Sequence, residues 1–323
     1  MNYMKIMLVY LISWLSAMGW TMNNWLTIWY LMEVCLVLFL GLCTSGKGYN
    51  VSEMMMSYYL VQVIFSLIML TFILFYMFNL GYLCSFVLVL GMMVKTGMFP
   101  FHFWFILICG KLEWISFFML ATLMKLIPLI LLYYLFFMLS FFFVTAGSLI
   151  FGSLMGLNNS VIQKMMGYSS MVTICWFMYS LSISVGLFFG YFAGYTIMLL
   201  WLIYIFNKYG IFYINQFKFN SVSLNMKILI FSYGLSISGF PPFLGFLVKW
   251  MVINYFWYLG FKFVVSLMIL VSVLSVYFYL QMVFFVMVVF SSWVKWYTTK
   301  NFMGFSVLSF MFLMSYVTLF FLY

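Results

Sequence analysis

Four ionisable side chains, Glu33, Lys95, Lys125 and Lys249, stand at least eight residues inside long apolar runs, where a charged end cannot easily snorkel to water. At the centre of a bilayer each would cost roughly 2.5 to 3.5 kcal/mol, or on the order of 10 to 14 kcal/mol for the set if unpaired and dry. Pairing or hydration must therefore offset that cost. One carboxylate cannot neutralise three ammonium groups, and desolvation disfavours a charge left alone, so the set has the chemistry of a proton relay. His102, the one histidine, is a further candidate relay at 102 in KTGMFPFHFW, with hydrogen-bonded packing as its alternative.

Those residues need a membrane to hold them. Of 323 residues, 69% are hydrophobic and 5% charged. A soluble domain carries about 25% charged residues, so this chain cannot furnish a water-facing surface. An all-α, polytopic, antiporter-like bundle is expected, because only helices and closed barrels satisfy their backbone in lipid. Apolar runs at 4–20, 25–42, 54–78, 80–108, 115–134, 137–157, 162–181, 185–206, 226–258, 263–291 and 302–323 predict eleven spans in one integral membrane domain. Its first half covers about 1–135, its second about 136–291, and a C-terminal span 302–323.

Two runs exceed one span and carry breakers, Gly97 and Pro100 in one, Gly239, Pro241, Pro242 and Gly245 in the other. Each break lies close to a central lysine. Discontinuous helices at matching places in two halves of a transporter point to an ion site.

The basic residues are all lysine, and the three acids, Glu33, Glu53 and Glu113, are too few for carboxylate-pair catalysis. No basic tract suits nucleic acid. On the eleven-span map Lys5, Lys47, Lys111, Lys164, Lys208, Lys218, Lys227, Lys295 and Lys300 share the side of the N-terminus, against Lys262 alone. This asymmetry is a positive-inside signal. The N-terminal run reads as a first span rather than a presequence. Cys35, Cys43, Cys84, Cys109 and Cys175 lack CxxC spacing, which argues against a disulfide framework or metal cluster. No Gly-rich dinucleotide motif appears.

The segments KTGMFPFHFW (95–104), GLNNSVIQKMMGYSS (156–170) and LSISGFPPFLGFLVKW (235–250) resemble the antiporter-like membrane subunits of respiratory complex I, NADH-ubiquinone oxidoreductase. The resemblance covers the order of spans over almost the whole chain. It implies a proton-translocating module of the mitochondrial inner membrane, N-terminus in the matrix and C-terminus towards the intermembrane space. Glu33 would pair with Lys95, Lys125 would link the halves, and Lys249 would serve the second broken helix. No cofactor is implied in this chain; NADH, FMN, iron-sulfur clusters and ubiquinone would belong to partner subunits. The animal form of the family resembles a fourteen-span subunit shortened by three helices, in agreement with eleven.

This chain departs from the family pattern in places. A proline usual after Trp104 is absent from Phe105, Ile106 and Leu107, so the second half-helix is expected to start or pack differently. Trp-Gln before the linking lysine is Leu123-Met124, which removes a hydrogen-bonding neighbour. An arginine is Gln163 and a histidine is Thr173. Tyr168, Ser169 and Ser170, with Asn158 and Asn159, are placed near the lysine-rich surface, either lining a hydrated half-channel or capping a loop. The competing functions are a sodium-proton or cation-proton antiporter subunit and a membrane scaffold without an ion path.

Overall fold

In a computed structural model, described here for residues 3–44, 49–77, 81–135, 139–218, 224–241 and 243–291, the expected apolar runs are helices. Stretches Trp25–Cys43, Val51–Phe75, Trp114–Tyr134, Val185–Tyr209 and Lys262–Met282 are each long and apolar enough to cross a bilayer. Serine and threonine hydroxyls along the helices donate to carbonyls three or four residues back, as Ser148 does to Thr145 and Ser180 to Phe177. That habit satisfies polar side chains within apolar surroundings. The expected span at 302–323 lies outside the described residues.

The chain divides into two compact units, Met1–Ser148 and Leu149–Tyr323. In the first, α1 (Tyr3–Gly19) packs on α2 (Trp25–Cys43), and α3 (Tyr49–Met77) packs between α2 and α4 (Gly81–Thr96). Short α5 (Phe103–Cys109) rests on α3, followed by α6 (Trp114–Ala121) and α7 (Leu123–Tyr134), the latter against α1, α2 and α4. Tyr3, Tyr10, Trp14, Leu60 and Ile64 are exposed, an apolar exterior suited to lipid. Ion pairs tie Lys5 to Glu113 at 2.7 Å and Lys111 to Glu53 at 3.0 Å. These pairs gather the start of α1, the start of α3 and the α5–α6 turn at one end of the unit.

Helix α8 (Leu139–Leu157) runs across the boundary between the units. The second unit is built on α9 (Ile162–Ile183), buried along nearly its whole length, with α10 (Val185–Tyr209) and α12 (Leu244–Tyr258) packed against it. Phe177 of α9 meets Phe188, Tyr191, Phe192 and Tyr195 of α10 at centroid distances of 5.0 to 5.8 Å, edge-on or tilted as ring quadrupoles favour. A 3-10 turn at Ile214–Lys218 precedes α11 (Leu224–Ser238), which packs with α10, α12 and α13 (Lys262–Ser291). Lys227, counted by sequence on the side of the N-terminus, is 7% exposed in α11.

Candidate functional site

Helix α4 ends one residue after Lys95. Gly97 takes the left-handed conformation (φ 72°), its N–H donates to Val94, and Met98 N–H reaches back to Met93 at 3.0 Å. Glycine is required there by φ and by space, because a Cβ would come within 2.8 Å of Phe105. Pro100 has no N–H to continue the ladder, and the chain restarts as α5 at Phe103. Lys95, held in the last turn of α4, donates to Glu33 Oε1 of α2 at 2.7 Å. The lysine side chain is 4% exposed and the glutamate 22%, so the pair is largely shut away from water. Charge-assisted contact of this length offsets the desolvation of both groups, and removing one partner strands the other.

Lys125 is 3% exposed in α7, with its Nζ 4.3 Å from the centroid of the Phe105 ring, a cation–π contact. The residue standing where the family pattern differs thus packs both on Gly97 and on the second lysine. A break not expected from sequence separates α6 from α7 at Thr122 (φ −119°, ψ −82°), three residues before Lys125. The Thr122 carbonyl accepts from Lys125 N–H at 3.1 Å, an i to i+3 bond that closes a tighter turn than the α-helical one. Pro128 inside α7 was the available signal, since it removes a donor one turn above Met124. Lys95 and Lys125 line one cavity of about 30 Å³.

Lys249 belongs to the second unit. Helix α11 ends as α4 does: Gly239 is left-handed (φ 80°), and Phe240 N–H returns to Leu235 at 3.1 Å. Residues 241 and 242 are prolines, so the carbonyls of Ile237 and Ser238 lose their normal i+4 donors. Pro242 itself lies outside the described residues. Lys249 Nζ folds back from α12 and donates to the Ser238 carbonyl at 2.6 Å, with the Trp176 ring centroid 5.4 Å away. A cation at a helix C-terminus also meets the negative end of the helix dipole. Gly239 leaves room for that head, since a Cβ would sit 2.7 Å from Lys249 Cδ. Gly245, read from sequence as a breaker, is instead within α12, where its missing side chain lets the backbone approach the Ser236 carbonyl.

Glu33, Lys95 and Lys125 are therefore brought together in one unit, and Lys249 sits at a separate break in the other. His102 is buried at the start of α5, stacked on Phe103 at 4.4 Å and Phe99 at 6.1 Å, and is not among the residues lining the 30 Å³ cavity. Ser169 and Ser170 are buried in α9, 3% and 0% exposed. Tyr279 of α13 donates to Ser169 Oγ at 2.8 Å. Asn159 donates to the Met155 carbonyl and closes the end of α8, the capping role. Trp176, Ser238 and Thr122 were the site residues that sequence reasoning missed.

Residues 22–276 match the family model described as NADH:quinone oxidoreductase/Mrp antiporter, transmembrane. The chain is 34% identical over 271 residues to NADH-ubiquinone oxidoreductase chain 2 of Anopheles gambiae, covering 80% of this chain and 79% of that one. A chain of respiratory complex I from Thermus thermophilus, solved with bound aureothin, superimposes with a TM-score of 0.76 at 18% identity, over 88% of this chain and 71% of that one. A chain of the Mrp complex from Dietzia sp. does so with 0.75 at 15% identity, over 85% and 59%. The two structures speak to the fold.

Proposed function

The chain belongs to the NADH:quinone oxidoreductase/Mrp antiporter family of transmembrane proteins, and on that premise we propose that it is a proton-translocating membrane-arm subunit of NADH:ubiquinone oxidoreductase. It carries no redox step itself. Protons move among Glu33, Lys95, Lys125 and Lys249, driven by electron transfer in partner subunits that hold NADH, FMN, iron-sulfur clusters and ubiquinone. It is a multi-pass protein of the mitochondrial inner membrane, lies among other membrane subunits, and has its N-terminus in the matrix, the side that the lysine asymmetry selects.

The observation that carries this reading is the buried 2.7 Å Glu33–Lys95 pair with Lys125 on the same cavity. A change in the proton occupancy of one buried group alters the field at the next, which gives electron transfer elsewhere a means of moving a proton here. Each proton moved against the membrane potential costs about 2.3 kcal/mol per 100 mV, so the relay must be coupled to a driving reaction.

The test is the proton-to-electron ratio of the intact complex in sealed vesicles. Measured per assembled complex, since the variant strands Glu33, Lys95→Met should leave NADH oxidation with an artificial acceptor at its normal rate and lower the ratio. An unchanged ratio at full turnover would leave these residues structural and favour the scaffold. A sodium-proton antiporter would instead show turnover that depends on sodium at fixed pH.

A further inference from the structure

The cavity shared by Lys95 and Lys125 is also lined by Gln62 of α3 and Trp104 of α5. Gln62 is 4% exposed, and its Nε2 and the Nε1 of Trp104 are buried without a hydrogen-bond partner in the protein. Two such donors on one small cavity are costly, because a buried N–H that bonds nothing forfeits its solvation, and buried polar groups are as a rule satisfied. A site needs about 10 to 15 Å³ of this kind of volume to hold one water, so 30 Å³ accommodates about two. Polar partners are plentiful: two lysines, two orphaned donors and Thr96, whose hydroxyl hydrogen is already given to the carbonyls of Met92 and Met93 and whose oxygen remains an acceptor.

We propose that Gln62 and Trp104 hold water between Lys95 and Lys125, which makes Gln62 a positioning residue for proton transfer between the two lysines. This rests on the proton-relay reading above and adds to it the groups that fix the bridge. A water that takes the Gln62 hydrogen on one lone pair keeps the other for an ammonium. Its own hydrogens are then left for a neutral amine, for Thr96 or for a second water held by Trp104. An ammonium has no acceptor, so such a water can donate to a lysine only when that lysine is neutral. In the transfer an N–H bond of one lysine breaks as an O–H bond forms. Another O–H bond of the same water breaks as an N–H bond forms on the second lysine, directly or through the second water. One proton crosses and the water is regenerated. Gln62 is the one amide among the residues lining the cavity, whereas Leu123 and Met124 beside Lys125 offer no N–H from their side chains.

The experiment uses the whole complex, in vesicles and by high-resolution imaging. Gln62→Met keeps the length and removes the amide; Gln62→Asn restores an amide one methylene shorter. The expected result is proton translocation lowered about fivefold for Gln62→Met, the scale of one hydrogen bond, and recovered to within about twofold for Gln62→Asn, with artificial-acceptor NADH oxidation unchanged in both. Normal translocation in Gln62→Met beside impaired translocation in Lys95→Met would overturn the role of Gln62 while leaving the relay intact. Normal translocation in both would overturn the relay and this proposal with it. Should Gln62→Met fail to assemble, a water map of the unaltered complex decides: density within hydrogen-bond distance of Gln62 Nε2 and Trp104 Nε1 supports the bridge, and its absence refutes it.

Discussion

Lys95 and Lys249 each stand at a broken helix, Lys95 in the last turn before its break and Lys249 in the helix that follows the other, and they are held by different chemistry. Both breaks close with a left-handed glycine, Gly97 or Gly239, followed within three residues by proline. Lys95 meets a carboxylate, Glu33, at 2.7 Å; Lys249 meets the Ser238 carbonyl at 2.6 Å and the face of Trp176. All three acids of the chain precede residue 114, so the second unit has no carboxylate to offer. A full counter-charge and a set of dipoles can each hold a buried lysine. They differ in what is left behind when the partner is removed.

That difference sets the largest expected effect. Glu33→Gln leaves Lys95 buried without its counter-charge, a situation that costs about 3 to 5 kcal/mol in buried pairs. Assembled complex on native gels should fall sharply, and the double variant Glu33→Gln/Lys95→Met should recover it; equal loss in both would mean that the pair is not what the packing depends on. Lys249→Met is expected to be milder for assembly, since it strands only a carbonyl, worth about 1 to 3 kcal/mol. Its proton-to-electron ratio should nevertheless fall with peripheral NADH oxidation intact, and a ratio matching the unaltered complex would remove Lys249 from the relay.

A smaller effect should follow from the glycine that makes room for Lys249. Gly239→Ala forces a side chain into the left-handed region and against the lysine head, and should lower stability by about 1 to 3 kcal/mol. Gly190→Ala, where a Cβ meets open space, is the control and should leave the melting temperature of the complex in place. If both variants melt alike, the close approach at the second break is not under strain. The smallest effect belongs to Lys5→Ala. Its partner Glu113 is 49% exposed, and a pair open to water contributes at most about 1 kcal/mol, readable as a melting shift that shrinks with added salt.

Much of the fold could be read from the chain because it depends on neighbours in sequence. Apolar runs became helices, and the breaks at Gly97, Pro100, Gly239 and Pro241 followed from a proline that cannot donate and a glycine free to turn. The Ser238 contact of Lys249 was within reach of the same reasoning, since the two prolines leave that carbonyl without a donor and the lysine is eleven residues away. The break at Thr122 was harder to see, for Pro128 acts several residues from the distortion and the run 115–134 has the length of one unbroken span.

The sequence by itself determined that four ionisable groups lie deep in apolar segments and that two of the segments cannot be continuous helices. Both follow from residue order and the cost of an unsatisfied charge or backbone group in lipid. The pairing of Lys95 with Glu33, sixty-two residues away, was implied by the family resemblance and is present in the packing, whereas only the tertiary structure decided that Phe105 bridges Gly97 and Lys125. It also decided how deeply Lys227, Ser169 and Ser170 are buried. Helix periodicity gives each side chain an angle around its own axis, but which neighbouring helix that angle faces depends on the packing of all the others, and hydrophobicity that is nearly uniform around each helix leaves no stripe from which to read it.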